Sequence, residues 1–383
     1  MAGEGPAPRT LTRFASRTDL SRKRGRWVGS RVTVTAFGLF RHLVFAGGLA
    51  LLSAAVVRLM IGARVMDHPD PRKAHPRATP KGGGVGIVVA FLVGIVLLDR
   101  FAQFSRLAEP YFGGVIAASA LIAIVSFLDD LRDWPFSVKL AAQLLAALAA
   151  VATGVYVRDY RLPYVGPLYV GWIGGPATLA WILFVTNAMN FIDGLDGLAG
   201  GVALIAACFL AGIAAFHGGW FAYFAALLLA AGLIGFLPFN FPRARIFMGD
   251  VGSQFCGFVL AMLGVVASRF DGVELSLLLV PMLLSGVMFD VLFTLIRRAL
   301  RGERLTAAHR GHLYQVAQRA GMPAPAVALA HWGFALWGGL TCLVFIAAPS
   351  PAKPFIPLLA LLPQPLWLAL VVERARAAGI SRW

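Results

Sequence analysis

The sequence predicts an all-α, polytopic integral membrane protein with about 10–11 membrane-spanning helices and polar cytoplasmic loops that carry the chemistry. Two observations support this fold class. Hydrophobic residues make up 59% of the 383 residues, and the mean hydropathy is +0.77. The chain therefore has more apolar surface than one water-soluble core could use. The apolar residues also lie in stretches long enough to cross a bilayer.

The apolar stretches predict eleven spans within one multispanning domain, residues 36–383, which follows a basic and poorly ordered extension, residues 1–35. The spans cover approximately residues 43–63, 84–100, 111–128, 138–157, 172–190, 197–216, 219–238, 251–268, 274–296, 326–347 and 354–372.

The basic residues predict the orientation, because lysine and arginine are retained on the cytoplasmic side. The connections after the odd-numbered spans are rich in both residues, whereas the opposite connections hold few. Every acidic motif is therefore expected to face the cytoplasm. The basic residues from Arg9 to Arg31 break this pattern, so they form a dispensable extension or one span is miscounted. The net charge of +16 favours contact with anionic lipid headgroups over nucleic-acid binding, because no aromatic and basic nucleic-acid module is present.

Two adjacent acids, Asp129 and Asp130, close the third predicted span. Lys139 and Gln143 open the fourth span four residues apart, so they share one helical face. Two neighbouring carboxylates at a membrane surface can act as a general base and a metal neighbour. Taken alone, the acid pair would more often be a solvated loop feature.

Polar residues also mark the end of the fifth span. Asn187, Asn190 and Asp193 recur at every third residue, and Asp196 follows after a short turn. Amides and acids on an apolar helix are costly if they face lipid, so they need either a ligand or polar partners inside the bundle. We predict a binding site here.

The segment before the eighth span carries Asn240, Phe247 and Asp250. An acid at a turn by the membrane edge suits Mg²⁺, which binds one or two carboxylates together with phosphate oxygens and water. Asp250 is the predicted metal ligand, with Asp129 or Asp130 as alternatives, and Mn²⁺ is the alternative ion. Phe247 could stack on a base, although a single phenylalanine beside a helix more often packs in the core.

Two basic connections complete the set of candidates. In the first, Lys73 precedes the glycines at 82–84, whose bare amides could approach a pyrophosphate; a simple turn is the alternative. The second contains His309, Arg310 and His312, which are candidate cationic hydrogen-bond donors to a phosphate. Zinc binding and a plain cytoplasmic loop are the alternatives. Asp290, within the ninth span, is either a site residue or the partner of nearby arginines.

In their joint order, these motifs resemble one family, the polyprenyl-phosphate N-acetylhexosamine-1-phosphate transferases of glycosyltransferase family 4. The resemblance runs from about Asp67 to Gln315. It implies transfer of a sugar 1-phosphate from a UDP-N-acetylhexosamine to undecaprenyl phosphate, with release of UMP and with Mg²⁺, at the bacterial inner membrane. Membrane lipids and a second copy of the chain, in a homodimer, are the other partners considered.

The resemblance also implies a role for each motif residue. Asp250 would bind the metal, Asp129 would activate the lipid phosphate, and Asp130 would support it. Lysines would hold phosphates, and the remaining motif residues would shape the nucleotide site. By these roles, the lysines are Lys73 and Lys139, and the nucleotide-site residues are Asn187, Asn190, Asp193, Asp196, Asn240 and Phe247.

The loop from Ala308 to Gln315 resembles the O-antigen-initiating subgroup, which tends to use UDP-linked N-acetylated and often 6-deoxy sugars. A UDP-GlcNAc-specific initiating enzyme remains an alternative. A phospho-MurNAc-pentapeptide transferase is a weaker alternative, because this chain lacks the run of three histidines that is typical of that group at this position. The non-enzymatic alternative is a lipid or solute transporter, for which polar groups are expected at mid-bilayer.

Overall fold

The computed structural model describes residues 36–67, 78–101, 110–132, 134–157, 159–162, 166–269, 275–307, 309–380 and 383. The chain divides into two units, Met1–His42 and Leu43–Trp383, and all described candidate residues lie in the second. Lys73 and the predicted extension 1–35 fall outside the described residues, so the role of Lys73 and the predicted domain boundary stay predictions.

Helices dominate the described part of the chain. They are α1 (Ala36–Ala63), α2 (Gly84–Phe101), α3 (Pro110–Arg132), α4 (Phe136–Ala152), α5 (Gly174–Ile192), α6 (Leu198–His217), α7 (Trp220–Asn240), α8 (Gly249–Arg269), α9 (Leu279–Leu283), α10 (Ser285–Leu300), α11 (Leu313–Arg319), α12 (Ala324–Ala347), α13 (Ile356–Leu359) and α14 (Pro363–Ala377).

Four short strands form two antiparallel hairpins, and a short 3-10 helix, Gly171–Ile173, leads into α5. In the first hairpin, β1 (Met66–Asp67) pairs with β2 (Thr79–Pro80). In the second, β3 (Asp159–Leu162) pairs with β4 (Gly166–Tyr169). Both hairpins lie in connections between helices, so they leave the helical character of the fold unchanged.

The predicted fold class is confirmed. Nine helical segments among the described residues are long and apolar enough to cross a membrane, and α4 is a shorter apolar helix. The predicted ninth span is interrupted, because α9 and α10 meet at Leu284. Backbone hydrogen bonds from Leu284 N to Val280 O and from Met288 N to Leu284 O continue across this junction. The protein is therefore a polytopic membrane protein in which one predicted span is a broken helix.

Helix α8 lies at the centre of the bundle. It packs against α2, α3, α5, α6 and α7, and its apolar part is almost entirely buried. Glycines permit close approach at this helix: a β-carbon added at Gly84 would clash with the Cα of Gly252. Because lipid provides no hydrophobic force between helices, such close van der Waals contact is what holds membrane helices together. The N-terminal end of α8 carries Asp250.

The glycine turn before α2 is also part of this packing. Gly83 N donates to Phe247 O at 2.9 Å, and Gly84 N donates to Met248 O at 2.8 Å. Phe247 N in turn donates to Pro80 O at 2.8 Å. The interpretation of these amides as a pyrophosphate cradle is therefore wrong for Gly83 and Gly84, because their N–H groups are already bonded to the segment that begins α8.

Candidate active site

The centre of the candidate site is one ammonium group shared by two carboxylates. Lys139 Nζ, on α4, lies 2.5 Å from Asp129 Oδ2 on α3 and 2.9 Å from Asp250 Oδ2 on α8. The Asp129 side chain is buried, while those of Lys139 and Asp250 are about one quarter exposed. Because buried charges are costly unless paired, the three helices bring each of these charges to a partner of opposite sign. The helical face predicted for Lys139 indeed contacts the acids.

Polar side chains from α5 and α8 surround the same carboxylate. Asn190 Nδ2 donates to Asp250 Oδ1 at 3.0 Å, and Gln254 Nε2 donates to Asp250 Oδ2 at 3.1 Å. Gln143 joins this network by donating to Gln254 Oε1 at 2.9 Å and by exchanging hydrogen bonds with Asn187. The asparagine stripe of α5 therefore has polar partners inside the bundle, as burial in an apolar environment requires.

Asp130 holds the start of α8. Its Oδ1 accepts the backbone N–H of Asp250 at 3.1 Å, and its Oδ2 accepts that of Val251 at 3.0 Å. The first N–H groups of a helix have no partner within the helix, and an acid there also favours the helix dipole. Both oxygens of Asp130 are used in this way and its side chain is buried. Asp130 therefore positions Asp250 through the backbone.

This geometry predicts graded effects of substitution at Asp130. Asp130→Ala removes both acceptors and is expected to cost about 1–2 kcal/mol of stability, the range for a lost helix cap. Asp130→Asn keeps one acceptor oxygen, so it should retain a substantial part of both stability and activity. Thermal unfolding and turnover of both variants are the measurements, and Asp99→Asn, a change of an exposed acid, is the control. Equal and complete inactivation by Asn and Ala in folded protein would show that Asp130 itself takes part in the chemistry.

Asn240 and Asp196 connect the loops on either side of α6 and α7. Asn240 accepts the N–H of Gly197 at 2.8 Å and donates to Ile246 O at 3.0 Å. Asp196 Oδ2 accepts the N–H of Ala244 at 2.9 Å. These contacts give both residues a structural role in shaping the loops, and their predicted contact with a nucleotide stays a prediction.

Asp193 follows α5 and lies among the other acids. Its pKa is raised well above the usual value by burial, and further by the negative charges of Asp250 and Asp130. The neighbouring carboxylates therefore oppose a further negative charge at Asp193. A cation at this end of the bundle would offset the charge of these acids.

The basic loop is held by Asp290, for which an ion pair with nearby arginines was one of the two predictions. That pairing is wrong: Asp290 accepts the N–H groups of Leu313 and Tyr314, each at 3.0 Å, and its Oδ1 lies 3.0 Å from His312 Nδ1. Arg298 instead pairs with Glu303 at 2.8 Å. The reason is that α11 begins at Leu313, so its first N–H groups need an acceptor.

The three loop residues predicted to bind substrate differ in their surroundings. His312 is buried against Asp290, and its ring lies tilted at 5.9 Å from that of Phe191, the residue next to Asn190. His309 accepts the N–H of Gly311 at 3.1 Å, and burial followed by the nearby charge of His312 lowers its pKa to about 4. His309 is therefore neutral near pH 7. Arg310 lines a cavity with other arginines, and the substrate-binding role of all three stays a prediction.

Sequence reasoning missed Gln254 and Tyr314. Gln254 lies four residues after Asp250 on α8, so helical spacing alone could have placed it on the same face. Tyr314 is buried, and its hydroxyl donates to Phe191 O at 2.9 Å. A β-carbon added at Gly194 would meet that hydroxyl. The tyrosine thereby joins the basic loop to the acidic turn after α5, a contact that no local pattern reveals.

The donor set fits Mg²⁺ better than a metal that is fully enclosed by protein. Among the described residues, no group of three aspartate, glutamate, histidine or cysteine side chains could hold a metal ion. Mg²⁺ commonly keeps water and substrate phosphates as ligands and takes only one or two carboxylates. Asp250 and Asp129, which already share one cationic partner, provide two hard oxygen ligands of this kind.

Together, the fold and site define a polytopic helical membrane protein with a cluster of acids and one lysine at one end of the bundle. Residues 112–268, which contain the whole cluster, match the model of Glycosyl transferase family 4. The chain is also 31% identical over 266 residues to a probable undecaprenyl-phosphate N-acetylglucosaminyl 1-phosphate transferase of Bacillus subtilis, covering 69% of this chain and 72% of that protein. The chain belongs to glycosyl transferase family 4.

Two further relatives agree with this assignment. A decaprenyl-phosphate N-acetylglucosaminephosphotransferase of Mycobacterium tuberculosis is 31% identical over 327 residues, which is 75% of this chain and 81% of that protein. An undecaprenyl-phosphate alpha-N-acetylglucosaminyl 1-phosphate transferase of Thermotoga maritima is 28% identical over 257 residues, which is 66% of this chain and 73% of that protein. The expectation of the family from the order of the motifs is confirmed.

Proposed function

We propose that this chain transfers an N-acetylhexosamine 1-phosphate from a UDP-sugar to undecaprenyl phosphate and releases UMP. The observation that carries the proposal is the Lys139 ammonium held between Asp129 and Asp250, in a chain whose relatives are named as transferases of this type. The reaction would occur at the cytoplasmic face of a bacterial inner membrane, where the basic connections are predicted to lie. It would start the synthesis of O-antigen or a related surface polysaccharide.

The reaction needs charge neutralisation. A lipid phosphate that attacks a diphosphate meets an anion, so positive charge must lie between the two reactants. Lys139 is about one quarter exposed at the site, which lets its ammonium reach a phosphate oxygen. If a phosphate replaces one of its carboxylate partners, the lysine keeps its charge paired throughout.

Asp129 is the proposed general base. Its Oδ1 accepts the N–H of Trp134 at 2.8 Å, while its Oδ2 contacts Lys139. The first contact orients the carboxylate, and the second is the one that must open for Oδ2 to accept a proton from the lipid phosphate. Asp250 is the proposed Mg²⁺ ligand, with Asp129 or Asp130 as alternatives and with Mn²⁺ as an alternative ion. The metal would supply Lewis-acid stabilisation of the diphosphate oxygens.

UDP-GlcNAc is the first donor to test, because the names of the relatives specify N-acetylglucosamine. The loop from His309 to Gln315 supports the O-antigen-initiating subgroup and therefore also a 6-deoxy N-acetylated donor. The transferred sugar decides between these two options.

The direct test measures UMP release by purified protein with undecaprenyl phosphate and Mg²⁺. We expect UMP release that requires the lipid, the donor and the metal. UDP-GlcNAc or a 6-deoxy analogue should be a better donor than the other UDP-N-acetylhexosamines. Chelation should stop turnover and added Mg²⁺ should restore it. Absence of UMP and of lipid-linked sugar with every UDP-N-acetylhexosamine tested, in folded protein, would contradict the proposed function.

A further inference from the structure

A strongly basic cavity lies beside the C-terminal end of α10. Its volume is about 540 Å³, and the charged residues of its lining are five arginines and one glutamate, a surplus of four positive charges. His309 adds no charge near pH 7, because its pKa is lowered to about 4 by burial and by His312. A partly enclosed cavity lined by one sign of charge concentrates counter-ions. The cavity is therefore suited to an anion.

Arg297 of α10 and Arg301, the residue that directly follows this helix, form the side of the cavity on which the inference rests. Arg297 Nη2 donates to Gly311 O at 2.8 Å, but its Nε and Nη1 are buried and have no hydrogen-bond partner among the residues that the structure describes. The indole of Trp383 lies over the Arg297 guanidinium, with 4.4 Å to the ring centroid. Arg301, four residues later, donates to Trp383 O at 2.8 Å. Buried donors without acceptors are costly, and an anionic oxygen would supply what Arg297 lacks.

The same helix exposes an apolar row directly beside these arginines. Leu292, Ile296 and Leu300 repeat at intervals of four residues and are 43%, 58% and 84% exposed. Each step of one residue turns an α-helix by about 100°. The row formed by Phe293, Arg297 and Arg301 therefore runs next to the apolar row. On a membrane protein, an exposed apolar row is suited to contact with acyl chains.

We propose that the cavity binds the phosphate headgroup of an anionic membrane phospholipid, whose acyl chains lie along the apolar row of α10. The basic surplus and the unpartnered Arg297 nitrogens recognise the phosphate, and the apolar row recognises the lipid. A free nucleotide has no acyl chains that could contact the apolar row. Basic pockets between membrane helices are a known means of holding anionic headgroups. The bound lipid would also brace the loop at Gly311, because Arg297 contacts both the loop and the cavity.

The test is lipid binding by the full chain in detergent, with native mass spectrometry and without a sugar donor. Wild-type protein is expected to retain phosphatidylglycerol in preference to phosphatidylcholine. The double variant Arg297→Gln and Arg301→Gln should weaken phosphatidylglycerol binding by about thirtyfold, the scale of two surface arginines. The matched control, Arg374→Gln with Arg376→Gln on α14, removes the same charge from exposed positions and should leave binding nearly unchanged.

Further arms distinguish the source of the phosphate. Arg297→Lys with Arg301→Lys keeps the charge but removes the guanidinium donors, so it should bind phosphatidylglycerol more tightly than the glutamine pair and less tightly than wild type, which separates loss of the site from misfolding. Displacement of phosphatidylglycerol by UDP-GlcNAc would assign the cavity to the nucleotide, and stronger competition by undecaprenyl phosphate would assign it to the acceptor. Either result, or equal losses in the two glutamine pairs, would overturn the proposal. This experiment measures lipid binding and no turnover, so a negative result would not count against the proposed transferase activity.

Discussion

Asp250→Asn is expected to lower transferase turnover by at least about a hundredfold, the scale for losing one electrostatic group that acts on the transition state. The carboxylate is the proposed metal ligand, and it is also the common partner of Lys139, Asn190 and Gln254. An asparagine of the same size removes the negative charge and one anionic ligand oxygen. The measurements are UMP release and the concentration of Mg²⁺ that gives half-maximal turnover.

The control for Asp250→Asn is Glu373→Gln, a change of an exposed acid on α14, which should leave both measurements near the wild-type values. Thermal unfolding of the two variants shows whether the bundle is intact. Near-normal turnover of folded Asp250→Asn, with an unchanged requirement for Mg²⁺, would remove Asp250 from the proposed metal site.

Asp129→Asn should lose about a hundredfold or more in turnover at low pH, because a positioned general base contributes on this scale. The second ionisation of a phosphate monoester has a pKa of about 6. Above that pH the lipid phosphate is already dianionic and no longer needs a base. We therefore expect the deficit of the variant relative to wild type to shrink as the pH rises from about 5 to 8.

The measurement is the ratio of wild-type to variant kcat/KM across this pH range, at saturating Mg²⁺. Asp130→Asn is the matched control, because Asp130 acts through the backbone of α8 and its deficit should not depend on pH in this way. A constant ratio for Asp129→Asn would exclude the base role. A phospho-enzyme isolated without acceptor lipid would instead indicate a covalent, two-step transfer.

The fold class and the position of the site along the chain followed from local patterns. Apolar stretches of bilayer length predict membrane helices because the backbone polar groups must be satisfied internally. Helical spacing predicted which faces turn inward: Asn187, Asn190 and Asp193 lie three residues apart, and Lys139 and Gln143 lie four residues apart. Those faces do meet α8 and its neighbours.

Within the acidic motifs, the sequence could not distinguish neighbours of identical chemistry. Asp129 and Asp130 are adjacent and both acidic, yet one contacts Lys139 and the other binds two backbone N–H groups of α8. Successive residues of a helix point about 100° apart, so their environments depend on which helix packs on each side. The same reason explains Asp290, whose partners lie more than twenty residues away in the chain.

By itself, the sequence determined that the protein is a helical membrane protein, which family its motifs resemble, and which short segments gather polar groups at helix ends. These are consequences of composition, hydrophobic length and helical periodicity, all of which act locally. Only the tertiary structure decided the contacts: the lysine shared by two acids, the acid that begins α8, the glycine amides already bonded to Phe247 and Met248, and the arginine cavity beside α10. Charges and hydrogen-bond donors act over a few ångströms, so their partners are set by packing between segments far apart in the chain.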